Sequence, residues 1–256
     1  MSYSEEKLVG GNVTASVVRI GATVRKPVSQ ATPAVEALLA HLRSVGFGGA
    51  PLSLGRDDVG RQVLEFVPGS LWSGENQSTI AGLRRVGRLI RELHDALSSF
   101  RFSAAATWDA LTPADGDDLI CHNDLAPWNL ICSGERWVFI DWDNAAPGTR
   151  LWDLAWAAIS FPPVEPGCNL LTAATKIRAI VDGYDLRLSQ YPRLLQLMVR
   201  RSRAASDLLI EGARTGRQPW ARLYAEGHDE YWGPVSSYID ANLSALEEMM
   251  VQDSTK

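Results

Sequence analysis

The sequence is short of cysteine. Its three, Cys121, Cys132 and Cys168, are odd in number and scattered, and no Cys-x-x-Cys pair occurs. The four histidines do not cluster, so a structural zinc site is not expected. Free thiols of this kind suit a reducing cytoplasm, where the chain is expected to reside. Charge of one sign is also in short supply. A formal net charge of −5 gives no bulk electrostatic reason to bind nucleic acid or an anionic membrane. No apolar run approaches the roughly 18 residues of a membrane span. The opening residues, Met1 to Glu6, are acidic and carry no apolar stretch, so they are not expected to act as a signal peptide. Internal repeats and low-complexity segments are absent.

What is present is the balance of a globular enzyme: 256 residues, 46% hydrophobic and 21% charged. That length supports one large domain or two lobes sharing a sizeable core. The first third reads as strands around one helix. Val13 to Ile20 is rich in β-branched residues after a Gly10-Gly11-Asn12 turn, and Thr23 to Lys26 is a short strand stopped by Pro27. Thr32-Pro33 predicts a helix start, with the hydroxyl as cap. Its apolar face is Val35, Leu38, Leu39, Leu42 and Val45. Pro51 to Leu54 and Gln62 to Val67 predict a further strand pair. Pro68-Gly69 then marks a boundary. Beyond it, Ile80, Leu83, Val86, Ile90, Leu93 and Leu97 define a long amphipathic helix. Two short β runs follow, Leu119 to Cys121 and Trp137 to Ile140. Helices are predicted over Leu151 to Ile159, Ala173 to Tyr184, Leu194 to Gly216 and Val235 to Val251. The expected architecture is α+β and two-lobed. Residues 1–67 form a small β-rich lobe, 68–256 a larger, mainly helical one, and 65–69 the hinge.

Chemistry concentrates in His122-Asn123-Asp124-Leu125-Ala126-Pro127-Trp128-Asn129. The order H-x-D-x-x-x-x-N is the spacing of a kinase catalytic loop. Phosphoryl transfer needs a carboxylate beside the incoming hydroxyl and an amide oxygen on the metal that bridges the phosphates. One rigid loop supplies both, with Asp124 as base and Asn129 as a Mg²⁺ ligand. Downstream, the apolar run Phe139-Ile140 delivers Asp141, followed by Trp142 and Asp143. This places a second carboxylate where it can meet the same metal. Arg150-Leu151-Trp152-Asp153 opens a helix, where Asp153 can cap it or brace the loop.

These motifs resemble the aminoglycoside phosphotransferase superfamily, which has a protein-kinase-like fold. His122-Asn123-Asp124-Leu125 through Asn129, Ile140-Asp141-Trp142-Asp143 and Trp152-Asp153-Leu154-Ala155 carry the resemblance. Glu65-Phe66-Val67-Pro68-Gly69 and Leu93-His94-Asp95-Ala96-Leu97 extend it. Most members have glycine where this chain has Asn123. The string H-N-D-L-A-P-W-N is similar to a bacterial subgroup related to trifolitoxin immunity proteins. The resemblance implies ATP or GTP as phosphoryl donor, Mg²⁺ as cofactor and a small-molecule hydroxyl as acceptor, an antibiotic among the candidates. It implies that the hinge, Glu65 to Val67, holds the purine edge through its backbone. It also puts the phosphate-binding cation at Arg25, with Lys26 in reserve, since strand alternation turns the two to opposite faces. Glu36 is a candidate partner for that cation. The glycine loop departs from a full G-x-G-x-x-G.

Other readings stay open on the residues alone. The imperfect glycine loop suits a nucleotide-binding pseudo-enzyme that sequesters a toxin or antibiotic. The Asp115, Asp117 and Asp118 cluster either solubilises a loop or draws in a cationic substrate. His122, Trp128, Trp142, Cys121 and Cys132 read as packing residues, and Arg200-Arg201-Ser202-Arg203 as a solvated helix face. Oligomeric state is not legible.

Overall fold

The computed structural model describes residues 4–8, 16–73, 78–162 and 164–252. The Gly10-Gly11 turn and the first part of the strand expected from Val13 lie outside them. The small lobe is an antiparallel sheet ordered β1-β2-β3-β5-β4. Its strands are β1 (Glu6–Lys7), β2 (Val18–Ile20), β3 (Thr23–Lys26), β4 (Ser53–Arg56) and β5 (Gln62–Glu65). In β3, Arg25 lies opposite Val63 and Lys26 opposite Gln62. Helix α1 (Thr32–Ser44) buries Val35, Leu38, Leu39 and Leu42, as the periodicity predicts. Its cap differs from expectation. Ala31 is the N-cap residue, Thr32 is already helical, and the Thr32 hydroxyl instead accepts a bond from the Ser29 N–H at 2.8 Å. Val45 falls past the last helical turn and is exposed.

Strand β5 ends at Glu65, and β6 (Ser70–Leu71) belongs to a different sheet, where it pairs with β8 (Leu130–Ser133). Gly69 sits between them at φ +142°. A Cβ there would lie 2.6 Å from the Cys132 carbonyl oxygen, so the crossing requires glycine. In the large lobe, α2 (Ile80–Leu97) buries Leu83, Val86, Ile90, Leu93 and Leu97. Taking these five off water is worth on the order of 10 kcal/mol before chain entropy is charged against it. Helix α2 lies against α4 (Leu170–Tyr184) with backbones almost touching. A Cβ on Gly87 would meet the Ile180 carbonyl at 2.0 Å, and one on Gly183 the Arg84 carbonyl at 2.0 Å.

Between α2 and α4 lie β7 (Leu119–Cys121), β8, β9 (Arg136–Phe139), β10 (Ala146–Gly148) and α3 (Arg150–Ser160). Strand β8 pairs with β9, and β7 with β10. The lobe closes with α5 (Tyr191–Thr215), α6 (Trp220–Ala225), α7 (Asp229–Ala241) and α8 (Leu243–Gln252). The run expected as one helix from Val235 to Val251 is broken at Asn242, whose N–H bonds back to Ile239. The chain is α+β and two-lobed, a small antiparallel sheet with α1 joined to a larger helical body. Among the described residues no helix is long and apolar enough to cross a membrane.

Candidate active site

The loop between β7 and β8 is pinned from beneath by one carboxylate. Asp153, on the first turn of α3, is wholly buried. Its Oδ2 accepts the His122 N–H at 3.0 Å, and its Oδ1 accepts the Asn123 N–H at 2.9 Å. The Oδ2 also accepts from His94 Nε2 at 3.2 Å, and His94 Nδ1 meets the Tyr184 hydroxyl at 2.8 Å. Thr149 caps α3, so Asp153 is released to brace the loop. Burial pushes the Asp153 carboxyl upward. The His94 hydrogen bond and charge, with His122 beside it, outweigh that and hold it below the usual range.

His122 is buried and structural, as expected. Its Nδ1 accepts the Asp124 N–H at 3.2 Å, so Nε2 carries the proton and donates to the Ile140 carbonyl at 3.1 Å. Ile140 returns its own N–H to the Asn129 carbonyl at 2.8 Å. The two halves of the site, Asp124–Asn129 and Ile140–Asp143, are thereby laced together. Asn123 stands where glycine is usual because its φ is +64°, in the left-handed region that asparagine tolerates. Its side-chain amide donates to the Asn144 carbonyl at 3.1 Å. Asp141 is likewise left-handed, at φ +60°.

The Asp124 carboxylate is held by three donors. Asn129 Nδ2 reaches Oδ2 at 2.7 Å, Trp128 Nε1 reaches Oδ2 at 3.2 Å, and Trp156 Nε1 reaches Oδ1 at 2.8 Å. With its nitrogen committed to Asp124, Asn129 keeps its side-chain oxygen available. The Asp141 side chain is 42% exposed to the cleft. Partial burial raises its carboxyl; Lys26 opposes that, and the neighbouring Asp143 and Asp124 charges add to it. An amide oxygen beside a carboxylate crowded by like charges is a hard-oxygen donor set that fits a magnesium ion.

The two basic residues of β3 part company. Lys26 is buried and faces this site, with Nζ 2.5 Å from Asp143 Oδ2 and 3.6 Å from Asp141 Oδ1. Arg25 turns to the other face, where it meets Asp57 at 3.4 Å and the Thr23 hydroxyl. Of the two, it is Lys26 and not Arg25 that stands beside Asp141 and Asp143. Glu36 pairs with Arg56 at 3.3 Å and does not meet Lys26. At the expected hinge, the Glu65 side chain is taken by Arg136 at 2.5 Å, which holds the carboxyl below its usual range, and its N–H bonds the Leu52 carbonyl. Val67 is buried two residues on.

Several side chains do more than their sequence context suggested. Trp142 packs, donating to the Phe139 carbonyl, but Trp128 is 46% exposed and touches the Asp124 carboxylate. Asp115 neither solubilises a loop nor stands free. It accepts from the Thr149 hydroxyl at 2.6 Å and pairs with Arg193 at 2.9 Å. Cys121 and Cys132 are buried thiols, and burial pushes Cys132 up to about 11. Arg201 is not solvated at all; only 4% of it is exposed, and it donates to the Thr112 hydroxyl and the Asn123 carbonyl. A signal for this existed in the sequence. Leu194, Met198, Arg201 and Ala205 recur at helical spacing, which puts Arg201 on the apolar stripe of α5.

Two lobes with a buried lysine on one and an Asp–Asn–Asp set on the other define a kinase-like phosphotransferase. Comparison with known proteins assigns the family. Residues 97–185 match the profile of the phosphotransferase enzyme family. The trifolitoxin immunity protein of Rhizobium leguminosarum bv. trifolii is 32% identical over 202 residues, covering 72% of this chain and 75% of that protein. The chain belongs to this phosphotransferase family. Its fold is that of a choline/ethanolamine kinase family protein from Mesorhizobium loti, with TM-score 0.64, 19% identity and 96% and 92% of the two chains covered. An amicoumacin kinase solved with AMP-PNP, Ca²⁺ and Ami aligns with TM-score 0.62 at 11% identity, over 93% and 88% of the chains.

Proposed function

We propose that the protein moves the γ-phosphoryl group of ATP or GTP to a hydroxyl on a small molecule. The observation that carries this reading is that Lys26 of the small lobe meets Asp141 and Asp143, on the segment that the Ile140–Asn129 hydrogen bond laces to Asp124 and Asn129. Residues 1–67 would clamp the nucleotide and 68–256 would hold the acceptor. The backbone from Glu65 to Val67 would take the purine edge, and Lys26 would leave its aspartates for the α- or β-phosphate. Asn129 through its side-chain oxygen and Asp141 through its carboxylate would hold Mg²⁺, which neutralises phosphate charge when bound. Asp124 accepts the proton of the incoming hydroxyl as its oxygen attacks phosphorus in line with the departing diphosphate. The indoles of Trp128 and Trp156 and the Asn129 amide fix the carboxylate in one orientation, so the rate comes from positioning. Trp128 and Tyr231, 46% and 41% exposed, with Trp232 between Trp156 and Tyr231, offer aromatic surface to the body of the acceptor.

The 32% identical relative is an immunity protein, which supports a second reading: a nucleotide-binding protein that sequesters a toxin or antibiotic. Nucleotide consumption measured with and without a panel of hydroxyl-bearing acceptors, antibiotics included, separates the two. Acceptor-dependent consumption supports catalysis, and stoichiometric acceptor binding without consumption supports sequestration.

The β3 register makes a sharper test. Lys26→Ala is expected to lower kcat/KM for nucleotide by about 10²-fold, the scale of removing one fixed donor from a transferring anion. Arg25→Ala is expected to change it little. Steady-state kinetics on both variants checks this, and equal losses would remove the distinction between the two faces of β3.

A further inference from the structure

Arg201 is a fully buried guanidinium with no carboxylate partner among the described residues, and its Nε has no hydrogen-bond partner. Burying an unpaired cation costs several kcal/mol, and a well-packed apolar side chain in its place is often neutral or stabilising. Part of that cost is offset by two aromatic faces. The guanidinium carbon lies 4.8 Å from the Trp152 ring centre and 4.8 Å from that of Trp156. Its hydrogen bonds show what the cation does. It donates to the carbonyl oxygen of Asn123, and the N–H of that same peptide unit belongs to Asp124. That N–H is held by His122 Nδ1 at 3.2 Å. The peptide plane entering Asp124 is thus fixed at both ends, immediately after a residue kept at φ +64°. On the side-chain side, Trp156 is packed between Arg201 and Trp232, whose ring centre lies 4.7 Å away, with its Nε1 2.8 Å from Asp124 Oδ1.

We infer that Arg201 is a positioning residue for phosphoryl transfer, setting Asp124 from behind through both its backbone and its indole donor. The inference rests on the phosphotransferase reading for its effect on rate. Arg201 touches no reacting atom. Through Asn123 and Trp156 it removes two independent ways for the carboxylate to drift from the acceptor hydroxyl. The long-range attraction between the cation and the Asp124 and Asp153 carboxylates acts in the same sense.

The test uses Arg201→Met, which fills the space without charge, and Arg201→Ala, which leaves a guanidinium-sized gap between the two rings. Two readouts are needed. One is kcat and nucleotide KM on a confirmed acceptor. The other is the ¹⁵N–¹H signal of the Trp156 indole, assigned by its loss in Trp156→Phe, which requires no turnover. A purely structural Arg201 predicts that Arg201→Met matches wild type in kcat once its thermal stability is retained, even though loss of the cation over the ring moves the indole signal. The positioning role predicts a folded Arg201→Met with kcat down by about 10²-fold, the cost of misplacing a reacting group by about 1 Å. Nucleotide KM stays near wild type and the Trp156 indole signal is displaced. In Arg201→Ala, low-millimolar guanidinium is expected to return the indole signal and part of kcat, with sodium chloride at equal ionic strength as control. A folded Arg201→Met with wild-type kcat overturns the inference, whether or not the indole signal moves. Displacement of the indole signal in a protein whose wild type phosphorylates nothing leaves Arg201 holding the loop and removes the phosphotransferase reading instead.

Discussion

Asp124→Asn is expected to cut turnover by about 10²- to 10⁴-fold, the usual worth of a positioned general base, with nucleotide affinity close to wild type. The substitution keeps the shape of the side chain. It also keeps one oxygen to accept from the Trp156 indole or from Trp128 and Asn129, which reach opposite oxygens of the native carboxylate. What it removes is the capacity to take a proton from the acceptor. Lys26 and Asp141 are on other segments and keep their positions. Titration calorimetry with nucleotide and Mg²⁺, beside initial rates, separates the two effects. A variant with wild-type rates would exclude Asp124 as base.

The second large effect is on stability. Asp153→Ala is expected to cost about 3–5 kcal/mol, since three buried N–H donors lose their acceptor at about 1–3 kcal/mol each. Asp153→Asn is not a mild substitute. The two carboxylate oxygens accept from different backbone N–H groups, His122 on Oδ2 and Asn123 on Oδ1. An amide must turn its NH₂ toward one of them and leave a buried donor unpaired, at about 1–3 kcal/mol. The pH dependence has a definite sign. Because the folded-state value of Asp153 lies below its ordinary value, the carboxylate's contribution is fully present above the ordinary carboxylate range. It is lost as pH falls through the depressed folded value. Melting temperatures of wild type and Asp153→Asn are therefore expected to differ most at neutral pH and to converge in acid. A gap that widened in acid would contradict the charge assigned to Asp153.

The part of the site readable in the sequence is the part held by local spacing. His122, Asp124 and Asn129 belong to one loop, and Asp141 follows an apolar strand two residues after Val138 and Phe139 have set its direction. Long-range relations were less accessible. Strand alternation separates Arg25 from Lys26, but which of them faces the cleft is set by the pairing of β3 with β5 and by where Asp143 lies, 117 residues away. Trp156 becomes a donor to Asp124 only because α3 packs against the loop, whereas Trp128 reaches it from within the loop itself. The start of β8 is hard to read because a 3₁₀ turn, Pro127–Asn129, leads straight into it. The break at Asn242 escaped notice for the opposite reason, since apolar residues continue at helical spacing across it, through Ile239 to Leu246 and Met250.

The most direct measurement is the fate of an isotopically marked γ-phosphoryl group. The protein would be incubated with Mg²⁺ and ATP or GTP carrying ¹⁸O on the γ-phosphate, together with a panel of hydroxyl-bearing small molecules, and the products weighed by mass spectrometry. The account predicts one acceptor class gaining a marked phosphate ester in wild type, with the product nearly absent for Asp124→Asn and Lys26→Ala and close to wild type for Arg25→Ala. Saturable acceptor binding with the marked phosphate left entirely on the nucleotide would contradict it.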